Sequence, residues 1–159
     1  MRKESASMKL PHLDDIDQQI VQLLLENGRM PYAKIGETLS LSRVAIQKRV
    51  ESLLESGVLE HFTVRVNVAK LGRTVSAFFE VQVEPRCVDT VGQQLSEEMQ
   101  VVNIYQMTGS STLHVHALLR DENELEKFLY DKLYVLEGVV NVQTQLMIRK
   151  FKSASGLDV

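Results

Sequence analysis

The chain has 159 residues, 44% apolar and 25% charged, a balance that suits one ordinary domain or two small ones and excludes a disordered chain. Its net charge of −3 gives no overall basic surface, so a nucleic-acid contact has to come from a local concentration of positive charge. The single cysteine, Cys87, excludes an intrachain disulfide and a cysteine-based metal cluster, and no stretch reaches the ~18 apolar residues of a membrane span.

Residues 1–12 carry no periodicity and read as a flexible tail. The polar start, Met1 to Ser7, lacks the apolar core of a secretory signal, so a cytoplasmic protein with no membrane partner is expected. From Leu13-Asp14-Asp15-Ile16-Asp17 the pattern becomes helical: Asp14 fits an N-cap, the acids suit the helix dipole, and Ile16, Ile20, Val21, Leu24 and Leu25 recur at helical spacing until Asn27-Gly28. Pro31 fits the first turn of a second, two-turn helix over 32–39, with Ile35 and Leu39 inward. Gly36 in its middle costs up to ~1 kcal/mol against Ala, which a tight helix crossing would explain. Ser40-Leu41 is a short connector, and Ser42 caps a third helix running to about Ser56, with Gly57 as its stop. Its inward positions are Ala45, Ile46, Arg49 (by its stem), Val50, Leu53 and Leu54; its outward positions are Arg43, Val44, Gln47, Lys48 and Glu51. From Val58 to Val66 the period falls to two, with Phe62, Val64 and Val66 on one side, which predicts a strand.

Residues 67–74 read as a hinge, and 75–152 as a second domain with the order β-α-β-β-α-β. A strand over 75–84 ends at Pro85. Val88, Val91, Leu95 and Met99 form a helix stripe, and the next strand, 101–108, ends in the hairpin signal Gly109-Ser110-Ser111. A strand over 113–119 follows. Asp121 and Glu124 then stand in a capping-box arrangement before the stripe Leu125, Phe128, Leu129, Leu133 and Leu136. Gly138 stops that helix, a last strand runs over 139–148, and 153–159 read as a tail. The expected fold class is α+β: an N-terminal winged helix-turn-helix domain over 13–66, followed by a ferredoxin-like plait.

The helix-turn-helix carries the functional signal. Residues 1–66 hold nine basic and nine acidic side chains, but within 31–50 Lys34, Arg43, Lys48 and Arg49 face a single acid, Glu37. A helix fits the major groove of double-stranded DNA, where Arg43 and Gln47, one turn apart, can reach base edges, and Val44 shares their face. Lys34, Lys48 and Arg49 can neutralise phosphates, and Ser42 with the amides of the helix start can hold another. The same residues also suit a generic helical hairpin with a solvated basic face. His114 and His116 share one strand face at i, i+2, but no third ligand joins them in sequence, so packing is the expected role and no metal is expected. Cys87 reads as a small, partly buried residue.

Leu13 to Asp17, Asn27-Gly28-Arg29, Leu41-Ser42-Arg43-Val44-Ala45-Ile46-Gln47-Lys48-Arg49-Val50 and Ser56-Gly57-Val58-Leu59 together resemble the Lrp/AsnC (leucine-responsive, feast/famine) transcription regulators. The second half resembles that family's amino-acid-metabolism regulatory domain, with Thr108-Gly109 at the central hairpin and Glu137-Gly138-Val139 before the last strand; the resemblance runs from about residue 13 to 152. It implies a homodimer formed through the plait sheets, further assembly to a tetramer or octamer, no cofactor, and a small-molecule effector, an amino acid or relative, bound between dimers. Carried over, the effector residues are Thr108, Gly109, Ser110, Ser111 and Thr112, with Leu146 and Met147 on the last strand. A glycine lets backbone amides approach a carboxylate and hydroxyls add donors, although a plain hairpin turn also uses Gly and Ser. Thr112 departs from the family, which commonly has an Asp there to suit an ammonium group; Ser40 stands where a Gly is often seen, and Gly36 where an Ala is.

Two other readings compete. An enzyme would need a phosphate loop or nucleophile motif, which the sequence lacks. A plait-domain oligomer or ligand-binding protein without specific DNA binding would leave the Arg43, Gln47, Lys48 and Arg49 face without a purpose.

Overall fold

The computed structural model describes residues 13–109 and 111–151, and in it the chain divides into two compact units, the first ending at Arg65 and the second starting at Val66. The expected tails, 1–12 and 153–159, and Ser110 lie outside the described residues.

The first unit is three helices: α1 (Asp15–Glu26), α2 (Tyr32–Leu39) and α3 (Arg43–Glu55). Asp14 caps α1, its carboxylate accepting the Asp17 N–H at 2.7 Å, and Ser42 caps α3, its hydroxyl oxygen accepting the Ala45 N–H at 3.1 Å. Pro31 sits one position before α2 rather than in its first turn, and its carbonyl accepts the Lys34 and Ile35 amides at 2.8 and 3.1 Å. Ile20, Val21, Leu24, Ile35, Ile46, Val50 and Leu53 form the buried core. The turn between α2 and α3 explains Gly36. A Cβ there would come within 2.4 Å of the Leu41 carbonyl oxygen, so the side chain is absent where the chain folds back on α2. Ser40 makes that reversal at φ 56°, the one described non-glycine residue at positive φ.

The strand expected over Val58–Val66 is not formed. These residues run outside any sheet, and Phe62, Val64 and Val66 are exposed at 47, 74 and 59%. A strand exists by its ladder of hydrogen bonds, and the described part of the first unit offers no second extended segment to complete one. Among the described residues the expected wing strand is therefore not formed, and the unit is a helical helix-turn-helix followed by chain outside any sheet.

The second unit has β1 (Val75–Val83), α4 (Val88–Ser96), β2 (Val101–Gln106), β3 (Thr112–Leu119), α5 (Glu122–Lys127, prolonged by a π-helical turn over Phe128–Leu133) and β4 (Val139–Leu146). The four strands form one antiparallel sheet in the order β2-β3-β1-β4, the ferredoxin-like plait. Period-two burial sends Ala77, Phe79, Val81 and Val83 of β1 and Leu113, Val115, Ala117 and Leu119 of β3 into the core. There they meet Val88, Val91 and Leu95 of α4 and Phe128 and Leu133 of the second helix. Met99, expected in the α4 stripe, is 83% exposed, because α4 ends at Ser96 and Met99 falls in the following turn. Asp121 caps α5 through the Glu124 N–H at 2.8 Å, but Glu124 does not return a bond to the cap. Its carboxylate accepts the Arg120 amide at 2.6 Å and the Arg120 Nε at 3.1 Å, and these, the amide first, hold it below the usual carboxylate range. Arg73 and Thr74, at the end of the expected hinge, are tied to this unit by bonds to the carbonyls of Leu118 and Arg120 at 2.6 and 2.7 Å.

The sheet face opposite the helices carries both histidines, and His116 packs there. His116 stacks flat on Phe78, with ring centroids 4.2 Å apart, and shares a 2.7 Å hydrogen bond with Ser76 Oγ. Burial, with a smaller contribution from the Lys150 charge, pushes His116 below the ordinary histidine value.

Two outcomes are expected. Ser40→Gly should stabilise the first unit by about 0.5–1 kcal/mol, since the relief of a left-handed residue exceeds the entropy that glycine adds to the unfolded chain, whereas Gly36→Val should destabilise it; thermal melts followed by circular dichroism read both. For His116 the unfolded chain takes up its proton first, near pH 6.5, so stability is complete above that pH and falls as the pH drops toward the lower folded value. His116→Phe should flatten the dependence of the urea midpoint between pH 8 and 5.5, a window above the one where Asp14 and Glu124, both lowered, titrate.

Candidate functional site

On α3 the helical period separates two faces. Ile46, Val50 and Leu53 are buried, while Arg43, Val44, Gln47, Lys48 and Glu51 are exposed, with Val44 at 62%. An exposed apolar residue beside an Arg and a Gln matches what base edges offer, since a thymine methyl takes an apolar partner and purine edges take bidentate donors. Gln47 Nε2 donates to Glu51 Oε1 at 2.9 Å, a bond on the solvent side. Ser42 stands at the start of this face, already engaged as the α3 cap. Lys34, on α2, pairs with Glu37 at 3.0 Å, both side chains largely exposed.

Arg49 is placed differently from the other cations. Its Nη1 lies 2.7 Å from Asp14 Oδ2 and 2.7 Å from Asp17 Oδ1, and its side chain is only 32% exposed. The expected phosphate contact is thus already occupied by two carboxylates of α1. The Asp17 amide and then the Arg49 guanidinium hold the Asp14 carboxyl below the usual range. The sequence signal was split. The inward position of Arg49 was readable from periodicity, but the acids at the start of α1 also suit the helix dipole, and the pairing spans 32 and 35 residues.

The hairpin of the second unit joins β2 to β3. Gly109 turns at φ 107°, the Ser111 carbonyl accepts the Val83 amide at 2.8 Å, and Thr112 opens β3 opposite Gln82. Thr108 and Gly109 lie in the exposed turn. Leu146 and Met147 do not join them within one chain. Leu146 pairs with Ala77, and the Met147 amide donates to the Ser76 carbonyl at 2.9 Å, at the other end of β1. Ala77 and Gln82 lie five strand positions apart, about 17 Å. Beside the hairpin, Gln106 and Leu113 line a groove of about 430 Å³ between α4 and β2, together with Asp89, Gln93 and Asn103; it is created by long-range strand placement, which no local pattern reveals. Among the described residues no group of three or more His, Cys, Asp or Glu can hold a metal ion, and no helix is long and apolar enough to cross a membrane.

Comparison with known proteins agrees with this division. Residues 13–54 match the AsnC-type helix-turn-helix domain, and residues 76–157 match the Lrp/AsnC ligand binding domain. An HTH-type transcriptional regulator of Methanocaldococcus jannaschii is 33% identical over 147 residues, covering 92% of this chain and 99% of that protein. The HTH-type transcriptional regulator FL11 of Pyrococcus furiosus is 31% identical over 147 residues, covering 92% and 97%. Among solved structures, a Neisseria meningitidis transcriptional regulator in complex with L-Met superposes with a TM-score of 0.85 at 22% identity, over 92% of this chain and 96% of that one. AsnC of E. coli gives 0.83 at 20% identity, over 89% and 95%. With both of its units matched and relatives of about one-third identity along most of its length, the chain belongs to the Lrp/AsnC family of helix-turn-helix transcription regulators.

Proposed function

We propose that this protein reads a specific DNA sequence with α3 and is modulated by a small amino-acid-like effector bound between copies of its second unit. The observation that carries the first part is the outward face of α3, where Arg43, Val44, Gln47 and Lys48 stand together in solvent above a fully buried apolar face. Arg43 and Gln47 read base edges, Val44 meets a methyl group, and Lys48 neutralises a phosphate, with Ser42 and the α3 amides near another. Lys34 reaches a phosphate by exchanging its exposed bond to Glu37, an inexpensive exchange for a surface pair.

The second part draws on the L-Met bound by the Neisseria relative and on the separation of the hairpin from Leu146 and Met147. About 17 Å is too far for one amino acid to touch both ends of a single chain, so a site using both is completed by another copy. The protein then acts as a homodimer through its plait sheets, or as a tetramer or octamer built from such dimers. Thr112, in place of an acid, leaves hydroxyl and amide donors without a carboxylate at this loop, which favours the carboxylate end of an effector over its ammonium. It acts in the cytoplasm, where its DNA is.

On a duplex selected by the protein from a random pool, Arg43→Ala or Gln47→Ala should each reduce the preference over random DNA by ~1–3 kcal/mol, while Lys48→Ala should weaken binding to both and flatten the salt slope by about 0.9. Equal losses on selected and random DNA for all three would sink the base-reading roles. Failure to select any sequence at low salt would leave the second reading, a plait oligomer without specific DNA binding.

The loop is tested separately, by DNA binding with and without each of the common amino acids. Gly109→Val should leave DNA affinity unchanged and remove the response. A response that survives the change, or a wild-type protein that answers to none of them, overturns the effector assignment.

A further inference from the structure

Arg49 belongs to the recognition helix, yet its charge is spent within the protein. One nitrogen, Nη1, serves Asp14 Oδ2 and Asp17 Oδ1, both at 2.7 Å. Asp14 is itself held in place, because its other oxygen accepts the Asp17 amide at 2.7 Å as the cap of α1. One cation between two anions is a poor place for a phosphate, since the local charge is negative. An ion pair with this much solvent exposure also adds little stability. Neither phosphate binding nor stability accounts for the arrangement.

Orientation does. Apart from this pair, α3 is held to its unit chiefly by Ile46, Val50 and Leu53 in the apolar core. Apolar contact is non-directional, so it resists separation of the helices more than rotation of α3 about its own axis. Base reading is sensitive to that rotation. Side chains reach about 5–6 Å from a helix axis, so a 20° turn displaces them by about 2 Å, several times the range of distances a hydrogen bond accepts. A guanidinium bonded to two carboxylates on a neighbouring helix is directional and stops such a turn.

We propose that Arg49 is a positioning residue for base recognition: through Asp14 and Asp17 it fixes the rotation of α3, and with it the aim of Arg43 and Gln47. The proposal rests on the DNA-reading function above. It is tested with the full chain, on the duplex that the wild type selects from a random pool and on random DNA, over a range of salt, at a temperature where circular dichroism shows every variant folded. Arg49→Met should lower the ratio of selected to random affinity about tenfold, the scale of one lost base contact, and leave the salt slope unchanged. Asp17→Asn removes a negative charge and on electrostatic grounds alone would tighten binding to DNA; here it should lower the ratio too, and add nothing further in the Arg49→Met background. Should Arg49→Met fail to fold, Asp17→Asn and Asp14→Asn, which retains a capping side chain, carry the same test.

A salt slope flattened by about 0.9 in Arg49→Met, with equal loss on random DNA and tighter binding by Asp17→Asn, would make Arg49 a phosphate contact and overturn the proposal. So would an unchanged ratio in every variant, which would reduce the pair to a surface ion pair. A wild type that selects no sequence fails the DNA-reading function and the proposal together, an outcome distinct from variants that keep the wild-type ratio.

Discussion

A peptide group removed from water has to keep a hydrogen-bond partner, and in this protein that requirement is met around β1. Both edges of β1 are paired, to β3 on one side and β4 on the other, so it is shielded along its length. Placing β4 beside β1 obliges α5 to cross the same face of the sheet that α4 crosses, and the core forms under the two helices. Neither helix of this unit packs on the other face, and there Phe78 and His116 stack on each other. The same requirement bears on Val58–Val66, which has strand-like alternation but, in the described part of the first unit, no second strand to complete a ladder; the Leu59 amide goes instead to the Leu53 carbonyl at 3.0 Å.

How far the sequence reveals the fold depends on the range of the interaction involved. Caps and stops act within a few residues, so Asp14, Ser42, Asp121 and Gly57 mark their elements correctly, whereas the second helix stops at Leu133, well before the expected stop at Gly138. Period-two and helical burial sum over short windows, and they place the core strands and helices. Met99 fails because one more apolar residue at helical spacing does not show that the helix has already stopped. The partners of Arg49 and of His116 lie tens of residues away, and no local pattern distinguishes a carboxylate that steadies a helix dipole from one that grips a distant guanidinium. The candidate DNA face was readable because it is one face of one helix. The candidate effector residues were readable only as separate pieces, since their distance from each other is set by strand register.

The charge distribution of the first unit now has a physical meaning. On α3 only Arg43 and Lys48 present cations outward, because Arg49 is engaged by α1. A unit that can neutralise few phosphates binds DNA of arbitrary sequence weakly. In the assembly proposed above, affinity for a site would come from joining units, each new contact being made at the high effective concentration that a shared scaffold provides. A modest positive face is thus compatible with a chain whose total charge is negative, and under the proposed function it would let correct bases, rather than backbone attraction, decide where the protein stays.

The π-helical turn after α5 bears on how this chain tolerates changes in length. The Tyr134 amide donates to the Leu129 carbonyl, five residues back, and the widened turn lets Phe128 and Leu133 both face the sheet although they are five positions apart. In an ordinary α-helix those positions would point roughly 140° apart. Removing one residue between them would rewind the segment as α-helix with the two apolar residues four positions apart, about 40° around the axis, so both would still face the sheet. Surface loops absorb gained or lost residues without disturbing what they connect. The π turn gives this helix a similar tolerance, since it can lose one residue and keep Phe128 and Leu133 on the core face.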